Sequence, residues 1–101
     1  MTLALLQVDF PFAGPWGEGL EALSRDLAAD IAAEAGLRWK VWTENEDAGV
    51  AGGVYLFESH ALAEKYLHKH SKRLAEFGVQ DLRAIIFDVN GALTAQTRGP
   101  I

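Results

Sequence analysis

Cysteine is absent from this 101-residue chain, which excludes disulfides, thiolate nucleophiles and any zinc or iron–sulfur site that needs sulfur ligands. Basic residues are scarce: 9 Lys and Arg stand against 14 Asp and Glu, for a net charge of −5 with His neutral. A protein that coats nucleic acid or an anionic membrane needs the opposite balance. No apolar run nears the roughly 20 residues of a membrane span. The start, Met1-Thr2-Leu3-Ala4-Leu5-Leu6, lacks the basic region and long apolar stretch of a secretory leader. Histidines are few and badly spaced for a metal. His68 and His70 stand at i, i+2 and would point opposite ways on a helix, and no H-x-x-x-H or H-x-x-E-H occurs. No Walker lysine or G-x-G-x-x-G follows a strand, so Gly14 to Gly19 reads as a loop setting a helix entry, with rimming a pocket as its other reading.

What remains is ordinary globular material, half apolar and 23% charged, the composition of a folded single domain. The reading is a soluble, cytoplasmic protein. Its core is small for its surface, so self-association would help it.

Periodicity places the elements. Leu3 to Phe10 alternates as a strand, with Ala4, Leu6, Val8 and Phe10 on one face and Gln7 and Asp9 on the more polar other. Leu20, Leu23, Leu27 and Ile31 stripe a helix over Glu18 to Ala35, with Gly36 as its expected C′ stop. Leu37 to Glu44 is a second strand. Asn45 to Gly53 reads as a long polar, Gly-rich connection, with Gly52-Gly53 leaving room for a bulge or a close backbone approach. Val54 to Glu58 is the third strand. Ser59 caps a second helix that runs to Phe77, where Ala63, Tyr66, Leu67, His70, Leu74 and Phe77 form the apolar stripe and Lys72 and Arg73 face water. Gly78 stops it. A fourth strand, from Val79 or Leu82 to Val89, is followed by an aperiodic tail.

The order β-α-β-β-α-β is the ferredoxin-like arrangement, α+β with a four-stranded antiparallel sheet. Two helices cover one face only. The other would expose apolar side chains from every strand, which predicts a second copy packed against it.

Particular runs go further. Gly14-Pro15-Trp16-Gly17, Trp39-Lys40-Val41-Trp42-Thr43-Glu44, Ala51-Gly52-Gly53-Val54-Tyr55-Leu56-Phe57 and Phe87-Asp88-Val89-Asn90 occur in this order and spacing. Together they resemble the YdhR-type mono-oxygenase family over residues 1 to about 90, leaving 91–101 as an uncovered C-terminal tail. The resemblance implies a homodimeric α+β barrel with an enclosed pocket. It also implies kinship with cofactor-independent mono-oxygenases of aromatic, often quinone-forming substrates. It carries over no catalytic set residue by residue, so the candidate residues rest on physical argument.

An oxygenase with no resident cofactor lets its substrate supply the electrons. The protein must deprotonate the substrate, stabilise the anion and exclude water. His70, with an ordinary pKa near 6.5, suits acid–base work, although a lone histidine on an apolar stripe also suits a structural place. Asp9 becomes a base if an apolar pocket raises its pKa, and Tyr55 offers a phenolic donor. For substrate contact the candidates are Trp42, Lys40 and Glu44, with Trp39, Phe57, Phe87 and Gln7. Arg38, Lys40 and Glu44 share a strand face with Trp42, and two cations and a carboxylate fit poorly under helices. Lys40, Trp42 and Glu44 are therefore expected on the open, dimer-facing side, and Trp39 and Val41 beneath the helices. Both tryptophans also suit plain packing, as do Tyr55 and Phe57.

The expected function is cofactor-independent mono-oxygenation of small quinol- or anthrone-like aromatics, in an apolar pocket between helices and sheet or at the dimer interface. The alternative is a non-catalytic small-molecule sensor dimer using the same pocket. An RNA-binding sheet shares the element order but fails on acidity and on the missing aromatic run. Haem stays open, since one helix histidine can serve as an axial ligand.

Overall fold

The computed structural model describes residues 2–101. Four strands form one antiparallel sheet: β1 (Ala4–Pro11), β2 (Leu37–Asn45), β3 (Val50–Phe57) and β4 (Arg83–Asp88), in the order β2-β3-β1-β4. Helices α1 (Glu18–Ala32) and α2 (His60–Glu76) follow β1 and β3, and a short α3 (Gly91–Gln96) follows β4. This is the ferredoxin-like α+β fold. Among the described residues no helix is long and apolar enough to cross a membrane.

The alternation read in β1 holds. Ala4, Leu6 and Val8 are buried with Tyr55 and Phe57 of β3, and Ile31, Ala63 and Tyr66 close this core from the helices. Register explains the grouping, because Ala4 pairs with Phe57 and Leu6 with Tyr55. Residues opposite one another across a ladder share a face.

Helix ends follow local chemistry. The Ser59 hydroxyl accepts from the Leu62 N–H, satisfying one orphan donor of α2. At its far end Val79 N–H bonds Leu74 O, Gly78 N–H bonds Ala75 O, and Gly78 has φ +88°. That is the Schellman stop expected from Gly78. Gly36 does something else. The helix ends at Ala32, and Gly36, at φ +80°, sits inside a turn closed by Leu37 N–H to Glu34 O.

The long connection before β3 is shorter than its composition suggests. Only 46–49 turn between β2 and β3, braced by Ala48 N–H to Asn45 Oδ1. Gly52 and Gly53 belong to the strand, because a Cβ at Gly52 would stand 1.9 Å from Val8 O and one at Gly53 2.6 Å from Lys40 Cε. They read as breakers but mark close approach.

The tail is not free. It carries α3, capped by Asn90 accepting from Leu93 N–H, and Pro100 O accepts from Trp39 Nε1 at 2.8 Å. Since β4 and β2 are opposite edges of the sheet, the chain must cross the face away from α1 and α2 to make that bond. Leu56, on that face, is 1% exposed.

Candidate functional site

A cavity of about 680 Å³ lies between the sheet, the N-terminal half of α1 and the C-terminal end of α2. Its origin is a wedge. Ile31 is the buried residue of α1, while Leu23, on the same apolar stripe, is 71% exposed. Thus α1 is seated on the sheet at its C-terminal end and stands off at its start. Ion pairs from Asp30 of α1 to Arg73, and from Glu34 in the turn after α1 to Lys69, tie the seated end to α2. Leu23 and Phe77 line the cavity and are largely exposed, so they mark its mouth.

The walls are apolar and aromatic: Val8, Phe10 and Phe12 from β1 and its exit, Leu20 and Leu27 from α1, Trp42 from β2. Phe10, Phe12 and Trp16 form an edge-to-face series at 6.1 and 5.2 Å. After β1, Phe12 to Gly14 rim the cavity; of the Gly14 to Gly19 loop, Gly14 alone lines it. Glu44 ties that loop down, its Oε1 accepting from Gly17 N–H at 2.8 Å.

Lys40 and Tyr55 supply the polar end. Lys40 pairs with Tyr55 in register and its stem passes over Gly53, where no side chain obstructs it. Its Nζ stands 3.4 Å from the Trp42 ring centre and 4.7 Å from that of Tyr55. Among the described residues no carboxylate pairs with it. Burial, aided by the Arg73 charge, lowers its pKa to about 7. The indole face works the other way, and its cation–π attraction is smaller than the shift from 10.5 to about 7 that burial and Arg73 produce. Lys40 stays far below an ordinary lysine.

Behind Tyr55 runs a hydrogen-bond chain of fixed polarity. Arg73 Nη2 lies 2.9 Å from His70 Nδ1. A guanidinium only donates, so Nδ1 accepts and Nε2 carries the proton. Nε2 then donates to the Tyr55 hydroxyl at 3.3 Å, which also accepts from Tyr66 at 3.3 Å. The Tyr55 hydroxyl hydrogen is left to point at a ligand. Burial, then the charges of Lys40, Arg73 and Lys69, lowers His70 to about 3. Burial also raises Tyr55 and Tyr66, keeping both phenols neutral. The polar end therefore consists of a titratable amine and a phenol O–H.

Several sequence expectations change. Lys40, Trp42 and Glu44 lie on the helix side, and Trp39 and Val41 on the open side, the reverse of the charge argument. That argument assumed helices pressed onto the whole sheet. Where α1 stands off, a lysine can bury its stem and keep its head in a cavity. Asp9 and Gln7 are on the open face, with Asp9 paired to Arg83 at 3.1 Å. Phe87 is there too, 43% exposed. None of these three reaches the cavity. Phe57 is core, 0% exposed, stacked 6.2 Å from Tyr55. Tyr55 and His70 do line the cavity. Arg73 was read as facing water, yet it is largely buried and holds His70. Its spacing, i+3 from His70, puts the two on one helix face and was the available signal.

Among the described residues no group of three or more His, Asp or Glu could hold a metal ion. The model of the family described as "Putative mono-oxygenase ydhR" matches residues 5–100. The chain belongs to that family. The match runs through the tail that the resemblance had left uncovered. Among solved structures, a protein of unknown function from Nitrosomonas europaea is similar in fold. Its TM-score is 0.59 at 17% identity, over 89% of this chain and 91% of that one. No curated protein matches the chain.

Proposed function

We propose that this YdhR-family chain is a cofactor-independent mono-oxygenase of small quinol- or anthrone-like aromatics, with Lys40 as its base and the helix–sheet cavity as its site. The observation that carries this reading is the pairing of a near-neutral lysine with an aromatic-walled cavity. An amine with a pKa of about 7 has a large unprotonated fraction at neutral pH, the condition for general-base work. It takes the acidic proton of the bound substrate. The new ammonium and the Tyr55 O–H then face the substrate's oxyanion in an apolar-walled site.

The electron-rich anion passes one electron to dioxygen, and the radical pair combines into a peroxide. For an anthrone-like CH2 the balance is CH2 plus O2 giving C=O plus H2O, so the substrate supplies both hydrogens and all the electrons. His70, with both ring nitrogens engaged, positions Tyr55.

A homodimer completes the proposal. Val41, Ile85 and Phe87 on the open face are 54, 47 and 43% exposed, and Leu93 of α3 is 61% exposed. An apolar surface drawn from β2, β4 and the tail suits a second copy.

Oxygen uptake with a panel of quinols and anthrones tests the enzyme. Wild type should exceed the uncatalysed rate, and Lys40→Met should lose about 100-fold in kcat/KM, within the range of a general base. Lys72→Met, an exposed-lysine control, should not change. Saturable binding of the panel without uptake would establish the sensor reading instead.

A further inference from the structure

Lys40 is suited to nucleophilic as well as basic work. The chain has four lysines, and Lys65, Lys69 and Lys72 are exposed on α2 while Lys40 alone of the four lines the cavity. Its Nζ has no carboxylate partner among the described residues. Such a partner would hold it protonated and occupy the direction of attack. The Trp42 and Tyr55 rings leave it facing flat, apolar space. Gly53 removes the side chain that would otherwise block its stem.

We propose that Lys40 condenses reversibly with the carbonyl carbon of aromatic aldehydes and ketones that enter the cavity, forming an imine.

The Nζ lone pair forms the C–N bond, and the carbonyl π pair moves to oxygen, which is protonated. The ammonium nitrogen of this adduct loses a proton, giving the carbinolamine. Protonation of its hydroxyl and cleavage of the C–O bond then release water and leave a protonated imine. The net change is amine plus carbonyl plus one proton giving protonated imine plus water, with no oxidation or reduction. Tyr55, whose hydroxyl hydrogen points away from its two donors, supplies a proton to the oxygen in this sequence. The protonated imine carries the charge of the ammonium it replaces and keeps its place against the Trp42 face. A lysine titrating near 7 offers the free amine that the first step needs. The inference goes beyond the oxygenase reading and does not depend on it: it rests on Lys40 and the cavity, and oxygen plays no part.

Reductive trapping is the test. The intact protein is incubated at pH 7 with 1-naphthaldehyde and cyanoborohydride, which reduces an imine to a stable secondary amine, and adducts are mapped by mass spectrometry. The expected result is one dominant adduct at Lys40, forming at least about 10-fold faster than at Lys65, Lys69 or Lys72. 2-Naphthol, which has no carbonyl, should slow trapping at Lys40 and leave the other three unaffected. Tyr55→Phe should slow it by about 10-fold with the thermal transition retained, and Lys40→Arg should abolish the dominant adduct. Adducts spread over the exposed lysines with none at Lys40, or a Lys40 rate insensitive to 2-naphthol, would overturn the proposal. The absence of oxygen uptake would leave it standing, and its own failure would leave the oxygenase reading standing.

Discussion

Gly53 lies directly under Lys40: a Cβ on it would stand 2.6 Å from Lys40 Cε and 3.4 Å from Nζ. The glycine makes room for the stem that carries the amine into the cavity. Gly53→Ala should therefore displace Lys40 more than it disturbs the sheet. Overpacking of this kind costs about 1–3 kcal/mol, visible as a lower urea midpoint. The Lys40 pKa should move back toward the ordinary lysine value, and oxygen uptake at pH 7 should fall with it.

The hydrogen-bond chain behind Tyr55 predicts a single histidine tautomer. In nitrogen-15 spectra of the wild type, His70 should show a protonated Nε2 and a bare Nδ1, because Arg73 can only donate to it. Arg73→Met removes that donor and should give a mixture of tautomers. It should lower kcat through a mispositioned Tyr55 and leave KM within about 3-fold.

Stability should depend on pH through His70. Its folded pKa is lowered from 6.5 to about 3, so between these values the unfolded chain binds the extra proton. Stability from this group is fully present above about 6.5 and lost as pH falls toward 3, at up to about 1.4 kcal/mol per pH unit. Between pH 7 and 5 the urea midpoint of wild type should fall, and His70→Phe should flatten that fall. Lys40 has the same sign in another window. Its pKa is lowered from 10.5 to about 7, so stability should rise from pH 7 to 10.5, and Lys40→Met should remove the rise.

Much of the fold was legible because its signals are local. Alternation in β1, the Ser59 cap and the Gly78 stop each rest on a few neighbouring residues and stand as read, as does the stripe of α2 up to Leu74, while Phe77 is largely exposed. The face of β2 was not legible. Lys40 and Glu44 look solvated in sequence, and nothing in the spacing of α1 says that its first turns stand off the sheet. Leu20, Leu23 and Leu27 make the same stripe whether they press into a core or roof a cavity. Arg73 misled for a similar reason, since a helix position beside Lys72 reads as wet until Asp30 and His70 are brought to it. Asp9 and Gln7 sat on the face that the alternation assigned to them. The cavity lies on the other.

Val41→Asp and Ile85→Asp test the proposed pairing of open faces. Both side chains are about half exposed, so each charge should leave the monomer folded, as judged by circular dichroism. Sedimentation should show a dimer for wild type and a monomer for the double variant. A wild type that sediments as a monomer at all concentrations would rule out the pairing.

The central claim is that Lys40 loses its proton near neutrality inside the cavity, and direct titration tests it most simply. With nitrogen-15 in the lysine side chains, one Nζ signal should titrate near pH 7 and vanish in Lys40→Met. The absence of any Nζ signal titrating near pH 7 would contradict the account, leaving the cavity without its base and its nucleophile.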